Sequence, residues 1–425
     1  MILASIGVAL LLLISGTPLA FILALLSAML LYLEGIPVTQ VIQSMFASAD
    51  SWVLLAIPLF VLAGTIMEQG GITKRLIDFT TSVFGSMKGA LAVVNVAVSM
   101  LFGGASGSAV ADTAAVGTML IPAMTEEGYD IDFSAAVTAS SSPIGIIIPP
   151  SIPMVIYGWV SNTSVGALFL GGIGAGILVG VAEILTVLLL TRKRNYGKPR
   201  PFSWKRLSTT ARDGIPALLA PVVLLGGIIA GVFTPTEAAG AAVLYSLFLG
   251  FFVFKELRLA DMPGILVKAA TMTGLVMLVV CAANSLGYIL ALHSVPQLVS
   301  SWASAVFTNP TRLLMAVTGV FLLLGMFLGV NEAIILAVPV LLPAMQAVGI
   351  DPIHAGVVIV VTAGIGLLTP PVALCVFMAS TIAKRPMENI SRACVPFMIT
   401  IYIVVLILIF VPSVVMLLPR LTGKG

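Results

Sequence analysis

The sequence predicts an all-α polytopic membrane protein built as an inverted-topology repeat, with two re-entrant helical hairpins and two discontinuous helices. The observations behind this fold class are the composition, the lengths of the apolar runs, and an internal repeat. Of the 425 residues, 60% are hydrophobic and 9% are charged, whereas soluble domains carry about 25% charged residues. The chain therefore needs the lipid bilayer as its solvent. A net charge of +3 gives no reason to expect a nucleic-acid partner.

Two of the apolar runs have the wrong length for simple membrane crossings. The runs cover residues 1–15, 18–33, 53–70, 90–124, 132–164, 166–191, 216–233, 235–253, 265–292, 314–345, 353–380 and 394–418. The run 90–124 is too long for one helix and too short for two, and its glycine-rich middle, 103–108, disfavours helix. Its limb 90–102 would rise by about 20 Å, less than the roughly 30 Å hydrocarbon core. We therefore expect a re-entrant hairpin there and another over 314–345, with its turn at 325–329.

The basic residues predict the orientation of these segments. Eight of the 20 Lys and Arg residues lie between Arg192 and Arg212, and basic loops stay in the cytoplasm. Counting outward from this loop places the N-terminus and the turn 346–352 on the periplasmic side. The first hairpin then enters from the cytoplasm and the second from the periplasm.

The two halves of the chain repeat each other, and most of the matching residues lie at one constant offset. Residues 119–124 match 340–345, and Pro149-Pro150 matches Pro370-Pro371, which indicates a duplicated unit. Because the hairpins enter from opposite sides, the repeat is inverted. The predicted units are 1–191, with hairpin 90–124 and broken helix 132–164; the basic cytoplasmic linker 192–215; and 216–425, with hairpin 314–345 and broken helix 353–380.

Four backbone irregularities are expected to meet near the middle of the membrane. They are the two hairpin tips and the breaks at 140–145 and 362–366, each followed by a Pro-Pro pair. Proline removes a backbone donor and disfavours helix at the preceding residue, so it frees carbonyl groups at a depth where they must be satisfied. Inverted repeats with discontinuous helices place their binding site there. We expect Na⁺ at the freed carbonyl groups and a carboxylate at the half-helix N-termini.

Candidate cation- and substrate-binding residues lie at the tips and the breaks. The tips supply Ser106, Ser108, Asp112, Thr113, Gly325, Gly329, Asn331 and Glu332; the breaks supply Ser140, Ser141, Ser142, Pro143, Gly145, Gly364, Gly366 and Thr369. Na⁺ is expected near Ser106, Ser141, Gly145, Gly325 and Gly366. The alternative explanation is structural, because small residues also permit close helix packing and Asp112 could cap or brace its hairpin tip.

Other polar residues in the apolar runs have competing explanations. Glu237 lies where a helix starts, so we expect it to cap that helix. Glu183 is mid-span, where an ionisable group is a candidate functional residue or the contact of a partner helix. Residues 104–107 match the GxSG pattern of intramembrane serine proteases, but His293 and His354, the two candidate bases, are predicted near the opposite face. We therefore expect no enzymatic activity.

Five segments taken together are typical of one family. They are 56–60 with Ala63-Gly64, 103–108, 143–150, 234–239 and 364–371. Through them the chain resembles, over nearly its whole length, the large membrane subunit of TRAP (tripartite ATP-independent periplasmic) transporters. The resemblance implies an elevator-type ion-transporter fold in the bacterial inner (cytoplasmic) membrane, in which hairpins and broken helices move against a scaffold. It also implies Na⁺ coupling, a small membrane subunit (Q type), and a periplasmic substrate-binding protein (P type) that delivers an organic acid.

The substrate and the subunit arrangement leave alternatives open. TRAP transporters carry sialic acids, C4-dicarboxylates and keto acids, and the overall resemblance favours the sialic-acid type without a motif to support it. Because no fused segment precedes Met1, the small subunit is expected as a separate chain. The alternative is a single-chain Na⁺/dicarboxylate symporter of similar architecture, which would transport in liposomes without a binding protein.

Overall fold

The computed structural model describes residues 7–8, 11–12, 15–192, 196–197 and 201–424, and it describes residues 104–106 by their backbone alone. The predicted run 1–15 falls largely outside these residues, as does part of the predicted linker. The first half contains α1 (Leu19–Leu33), α2 (Thr39–Ala49), α3 (Ala56–Gln69), α4 (Ile72–Phe84), α5 (Ala90–Ser106), α6 (Ala109–Glu126), α7 (Ile131–Ser141), α8 (Ile152–Ser161) and α9 (Val165–Thr191). The second half contains α10 (Trp204–Ile229), α11 (Pro235–Phe248), α12 (Met262–Leu292), α13 (Val295–Val306), α14 (Pro310–Phe327), α15 (Val330–Ala347), α16 (Pro352–Gly366), α17 (Leu374–Ala383), α18 (Met387–Phe410) and α19 (Ser413–Leu421).

The two halves share a series of corresponding elements in the same order. The hairpin α5–α6 corresponds to α14–α15, the broken helix α7–α8 corresponds to α16–α17, and α9 corresponds to α18. Each break contains a Pro-Pro pair, and both pairs have a cis peptide bond. The part of the chain that the structure describes therefore has the predicted fold class, an all-helical repeat with two hairpins and two discontinuous helices.

Seven of the described helices are long and apolar enough to cross a membrane, or eight if the bent pair α3 and α4 counts as one span. These two helices meet at 66°, and between them Gly71 has a φ of 74°, a backbone conformation that glycine adopts without steric cost. The short helices α2, α4 and α13 lie outside the predicted spans. They are short, with 11, 13 and 12 residues, and each has a polar and an apolar face, so their sequences do not resemble membrane crossings.

Both hairpins turn within two residues, which corrects the longer turns expected at 103–108 and 325–329. α5 stays helical through its glycines, and the turn is Gly107-Ser108. Gly107 has a φ of 61°, and the Ser108 hydroxyl accepts a hydrogen bond from the backbone N–H of Ala111. In the second hairpin the turn is Leu328-Gly329. Glycine destabilises a helix by only about 1 kcal/mol per residue, whereas unmet backbone hydrogen bonds inside a membrane cost more. The helix therefore continues through its glycines.

The first broken helix is interrupted where expected, and the second is not. A 3₁₀ turn, Ser142–Ile146, follows α7. α16 instead stays helical through 362–366, and its break follows at 367–373. Pro143 explains the difference, because it removes a backbone donor in the first segment, whereas 362–366 contains no proline.

The broken helices form the centre of the molecule. All residues of 353–366 in α16 are buried, and so are 133–141 in α7. Each hairpin packs on the broken helix of the other half: α6 contacts α17, and α15 contacts α8. This exchange between the halves brings both tips and both breaks to one place.

Glu237 caps its helix as predicted. The Thr234 hydroxyl accepts a hydrogen bond from the Glu237 backbone N–H, and the Thr234 backbone N–H donates to Glu237 Oε2 at 2.8 Å. This reciprocal capping box fixes the start of α11, so the position of Glu237 has a structural explanation.

Candidate functional site

A cavity of about 550 Å³ lies where the hairpin tips and the breaks meet. The tips line it with 107–111 and 329–332, the breaks with Ile146, Ile152, Pro153, Leu367 and Leu374, and two further helices with Val61, Gly64, Thr65 and Glu68 of α3 and Lys268, Met272, Leu275 and Val276 of α12. Its volume suits a small organic molecule. The wall therefore has two parts, one made by the hairpins and broken helices and one made by α3 and α12.

Four helices begin at this cavity. The first turns of α6, α8 and α15 contribute to its wall, as does Leu374 at the start of α17. A helix N-terminus presents unpaired N–H groups and a partial positive charge of about half an elementary charge. Anions bind readily at such ends. The cavity thus concentrates positive backbone dipoles in a largely apolar space, a setting that favours a carboxylate.

A buried polar cluster joins the first hairpin to the first break; it consists of Asn95, Ser99, Asp112, Thr138, Ser141 and Ser142, all fully buried. The Ser99 hydroxyl donates to Asp112 Oδ2 at 2.8 Å and lies 3.0 Å from the Ser141 hydroxyl. Asn95 Nδ2 donates to Thr138 Oγ1 at 2.7 Å. These bonds connect α5, α6 and α7 around one carboxylate.

One oxygen of the Asp112 carboxylate is not hydrogen-bonded within the cluster. Asp112 Oδ1 is buried and has no hydrogen-bond partner among the described residues. An ionised carboxylate buried without compensation costs several kcal/mol, so the site calls for a cation or a proton. The neighbouring hydroxyls of Ser99 and Ser141 supply further oxygen atoms, and Na⁺ is a hard ion that takes oxygen ligands. The donor set of the cluster therefore fits Na⁺.

Glycine pairs set the distance between each hairpin and its break. A Cβ on Gly103 would overlap the Gly145 Cα, and a Cβ on Gly366 would overlap the Gly325 backbone. The two contacts occupy corresponding places in the two halves. Close packing is thus one demonstrated reason for these glycines, and their contact with Na⁺ stays a prediction.

The structure divides the remaining predicted residues into groups. Ser108, Gly329, Asn331 and Glu332 line the cavity; Asp112, Ser141 and Ser142 belong to the polar cluster; Thr113, Ser140 and Thr369 donate to carbonyl groups of their own helical segments; and Gly364 faces Pro143. The Ser106 side chain lies outside the described part of the structure. Asn331 Oδ1 is buried with no hydrogen-bond partner among the described residues.

Sequence reasoning missed six polar residues of this region, one of which is Thr65 of α3 in the cavity wall. Asn95, Ser99 and Thr138 belong to the cluster, and the spacing of four between the first two, which places them on one helix face, could have indicated it. Glu68 and Lys268 are far apart in the chain, and no local pattern links them. In the fold, Lys268 Nζ lies 2.8 Å from Glu68 Oε2.

Three other ionisable residues lie away from the cavity. Glu183 in α9 is fully buried, and neither of its carboxylate oxygens has a partner among the described residues, so a functional role for it stays a prediction. His354 Nε2 lies 2.8 Å from the Leu408 carbonyl oxygen, and His293 lies 3.3 Å from Glu34. Both histidines are thus engaged outside the cavity.

Known proteins share this architecture. Residues 6–414 match the family described as tripartite ATP-independent periplasmic transporter, DctM component. The chain is 37% identical to the sialic acid TRAP transporter large permease protein SiaM of Vibrio cholerae, over 96% of each chain. It is 35% identical to the C4-dicarboxylate TRAP transporter large permease protein DctM of Pseudomonas aeruginosa, over 90% of this chain and 89% of that one. Its fold is similar to that of the Alcanivorax borkumensis YdaH transporter, with a TM-score of 0.53 and 15% identity over 91% of this chain and 88% of that one.

Proposed function

The chain belongs to the DctM-component family of tripartite ATP-independent periplasmic transporters, and we propose that it imports a sialic-acid or C4-dicarboxylate type of acid together with Na⁺. As a member of this family it is a large permease subunit of an organic-acid transporter and spans the membrane several times. The proposal includes a small membrane subunit, a periplasmic binding protein that delivers the acid, the bacterial inner membrane as location, and an elevator movement.

The observation that carries the proposal is the convergence of four helix N-termini on one cavity. Discontinuous helices of transporters commonly direct these positive ends at anionic substrate groups. The relatives named for sialic acid and for C4-dicarboxylates transport acids that carry such a group. A carboxylate in this cavity would be held chiefly by backbone dipoles, which suits more than one acid.

The polar cluster supports the Na⁺ part of the proposal. Asp112 Oδ1 lacks a partner among the described residues, and the cluster adjoins the first hairpin tip. A cation bound there would neutralise the carboxylate and brace the hairpin against the break. Binding of the ion would then favour the hairpin position in which the acid is held, and this is a physical route to coupling.

The two-part wall of the cavity supports the elevator. The hairpins and broken helices pack on one another across the halves, and α3 packs on α11 and α12 while both α3 and α12 also touch a hairpin. A rigid-body movement of the first group past the second would keep the contacts within the first group and carry its part of the cavity wall along.

Uptake into proteoliposomes tests the proposal. The chain is reconstituted with its small subunit, and uptake of labelled N-acetylneuraminate and of succinate is measured while the Na⁺ gradient and the binding protein are varied one at a time. We expect uptake of one acid to need both. Uptake without the binding protein would favour the single-chain symporter. Uptake that does not depend on the Na⁺ gradient would show that Na⁺ is not the coupling ion.

Variants of the cluster test where Na⁺ acts. Asp112→Asn removes the charge that a cation would neutralise, so we expect the Na⁺ concentration for half-maximal uptake to rise about tenfold. Ser141→Ala should raise it less. Ser301→Ala is the matched control, because this serine is exposed and bonds only within its own helix. An unchanged Na⁺ dependence in both cluster variants would place the ion elsewhere.

A further inference from the structure

The cavity wall contains an ion pair between two helices. Lys268 of α12 donates to both carboxylate oxygens of Glu68 of α3, at 2.8 and 3.0 Å. Both residues line the cavity, and their side chains are 43% and 32% exposed, respectively. The pair is therefore accessible to a molecule that occupies the cavity.

Lys268 is the only basic residue among the described residues that line the cavity, whereas Glu68 and Glu332 are acidic. While Lys268 is bonded to Glu68, its charge is neutralised, and the helix N-termini alone attract an anion. An acid that displaced Glu68 would gain a full positive charge as a second contact. The ion pair thus controls how much positive charge the cavity offers.

The pair also lies at one end of the cavity. Glu68 is in the last turn of α3 and Lys268 in the second turn of α12. The basic residues Lys74, Arg75 and Lys255, which follow or precede these helix ends in the chain, assign this end to the cytoplasm. An imported acid would pass the pair as it leaves.

We propose that Lys268 is a specificity residue that binds a carboxylate of the transported acid at the cytoplasmic end of the cavity, and that Glu68 competes for it. This inference rests on the proposed function, because it concerns the same cavity. When the acid departs, Glu68 takes Lys268 back and lowers the affinity for the acid that has just been released. The ion pair therefore favours release over rebinding.

The strength of the ion pair suits such an exchange. Exposed ion pairs contribute little, equivalent to a change of about two- to five-fold in an equilibrium constant. A carboxylate that is already attracted by helix N-termini can therefore displace Glu68. A fully buried pair would be too costly to open.

Binding measurements on four proteins test this exchange. The chain is purified with its small subunit in Na⁺-containing nanodiscs, and Kd values for N-acetylneuraminate and succinate are determined by calorimetry. For the acid that binds, Lys268→Met should weaken binding at least about five-fold, and Glu68→Gln should tighten it about two- to five-fold. The double variant should behave like Lys268→Met alone, because Glu68 has nothing to compete for once Lys268 is gone.

Three controls separate this exchange from a structural effect. Lys268→Arg should keep most of the affinity. The methyl esters of the acids should bind all variants alike. Glu256→Gln breaks a comparable pair, with Arg75 Nη1 2.8 Å from Glu256 Oε1, outside the described cavity wall, and should leave Kd unchanged. Lower melting temperatures in the Lys268 and Glu68 variants with unchanged Kd would show a merely structural ion pair.

The outcomes distinguish this inference from the proposed function. If Na⁺-dependent uptake is retained but substitution of Glu68 or Lys268 leaves Kd unchanged, the inference alone is overturned. If the Kd values follow the predicted pattern but the protein shows no uptake, the proposed function alone is overturned. A wild-type protein that binds neither acid would overturn the inference, since Lys268 would then accept no carboxylate of the proposed classes.

Discussion

At the scale of single residues, Gly366 has no room for a side chain, because a Cβ there would overlap three backbone atoms of Gly325. Backbone atoms cannot move aside as the end of a flexible side chain can. We therefore expect Gly366→Ala to force α14 and α16 apart and to lower the unfolding free energy by about 1–3 kcal/mol, the usual cost of overpacking. Thermal unfolding in detergent measures the loss, and uptake should fall with it.

Gly319→Ala on α14 is the matched control for this substitution. Nothing lies within 4 Å of a Cβ built at Gly319, and alanine favours a helix by about 1 kcal/mol over glycine. The melting temperature of this control should stay the same or rise. Equal losses in Gly319→Ala and Gly366→Ala would show that the close approach is not what makes Gly366 necessary.

At the scale of elements, the N-terminus of α6 faces the cavity with Ala111 in its first turn. Ala111→Asp adds a negative charge that strengthens the helix start but repels a carboxylate. We expect KM for the acid to rise at least about tenfold with no loss of thermal stability. Ala111→Asn has nearly the same size without the charge, and its KM should stay near that of the wild type. Equal effects of the two variants would indicate steric blocking rather than anion repulsion.

At the scale of the whole molecule, the proposed elevator movement requires the hairpins and broken helices to move as one body. Asp132 at the start of α7 and Arg385 just after the end of α17 form a bidentate pair, at 2.8 and 3.0 Å, between two segments of that body. Val110 and Leu275 lie on the two parts of the cavity wall. With cysteines at these positions and a cleavable bifunctional thiol reagent, cross-linking 110 to 275 should stop uptake until the link is reduced.

The matched link, 132 to 385, should leave uptake unchanged, because both ends move together. Loss of uptake with either link would favour gating by a single hairpin over movement of a rigid body. Full uptake with both links in place would mean that the wall formed by α3 and α12 does not separate from the hairpins during transport.

Much of the architecture could be predicted because it depends on patterns along the chain. Apolar runs of unsuitable length indicated both hairpins, and the repeated Pro-Pro pairs indicated both broken helices. The errors occurred where local rules compete. Residues 362–366 contain two glycines but stay helical, because burial in a membrane penalises unmet backbone hydrogen bonds more than glycine penalises a helix.

The candidate site was predictable only in part. Ser108, Asn331 and Glu332 line the cavity beside helix starts, which a sequence reader can locate from turns and caps. Thr113 and Thr369, chosen by the same reasoning, donate to carbonyl groups of their own helical segments. Hydroxyl groups near a break can donate to a carbonyl group of their own helix instead of lining the cavity. Only the direction of the side chain decides which of these occurs.

The sequence by itself determined the membrane environment, the repeat, the hairpins and the broken helices, since hydropathy, proline and glycine act on neighbours in the chain. Tertiary structure alone decided which polar groups meet. Asp112 gained its partner Ser99 from α5, Ser99 in turn met Ser141 of α7, and Lys268 met Glu68 across two hundred residues of sequence. Such contacts follow from how helices of the two halves pack in three dimensions, and no pattern of nearby residues encodes that packing.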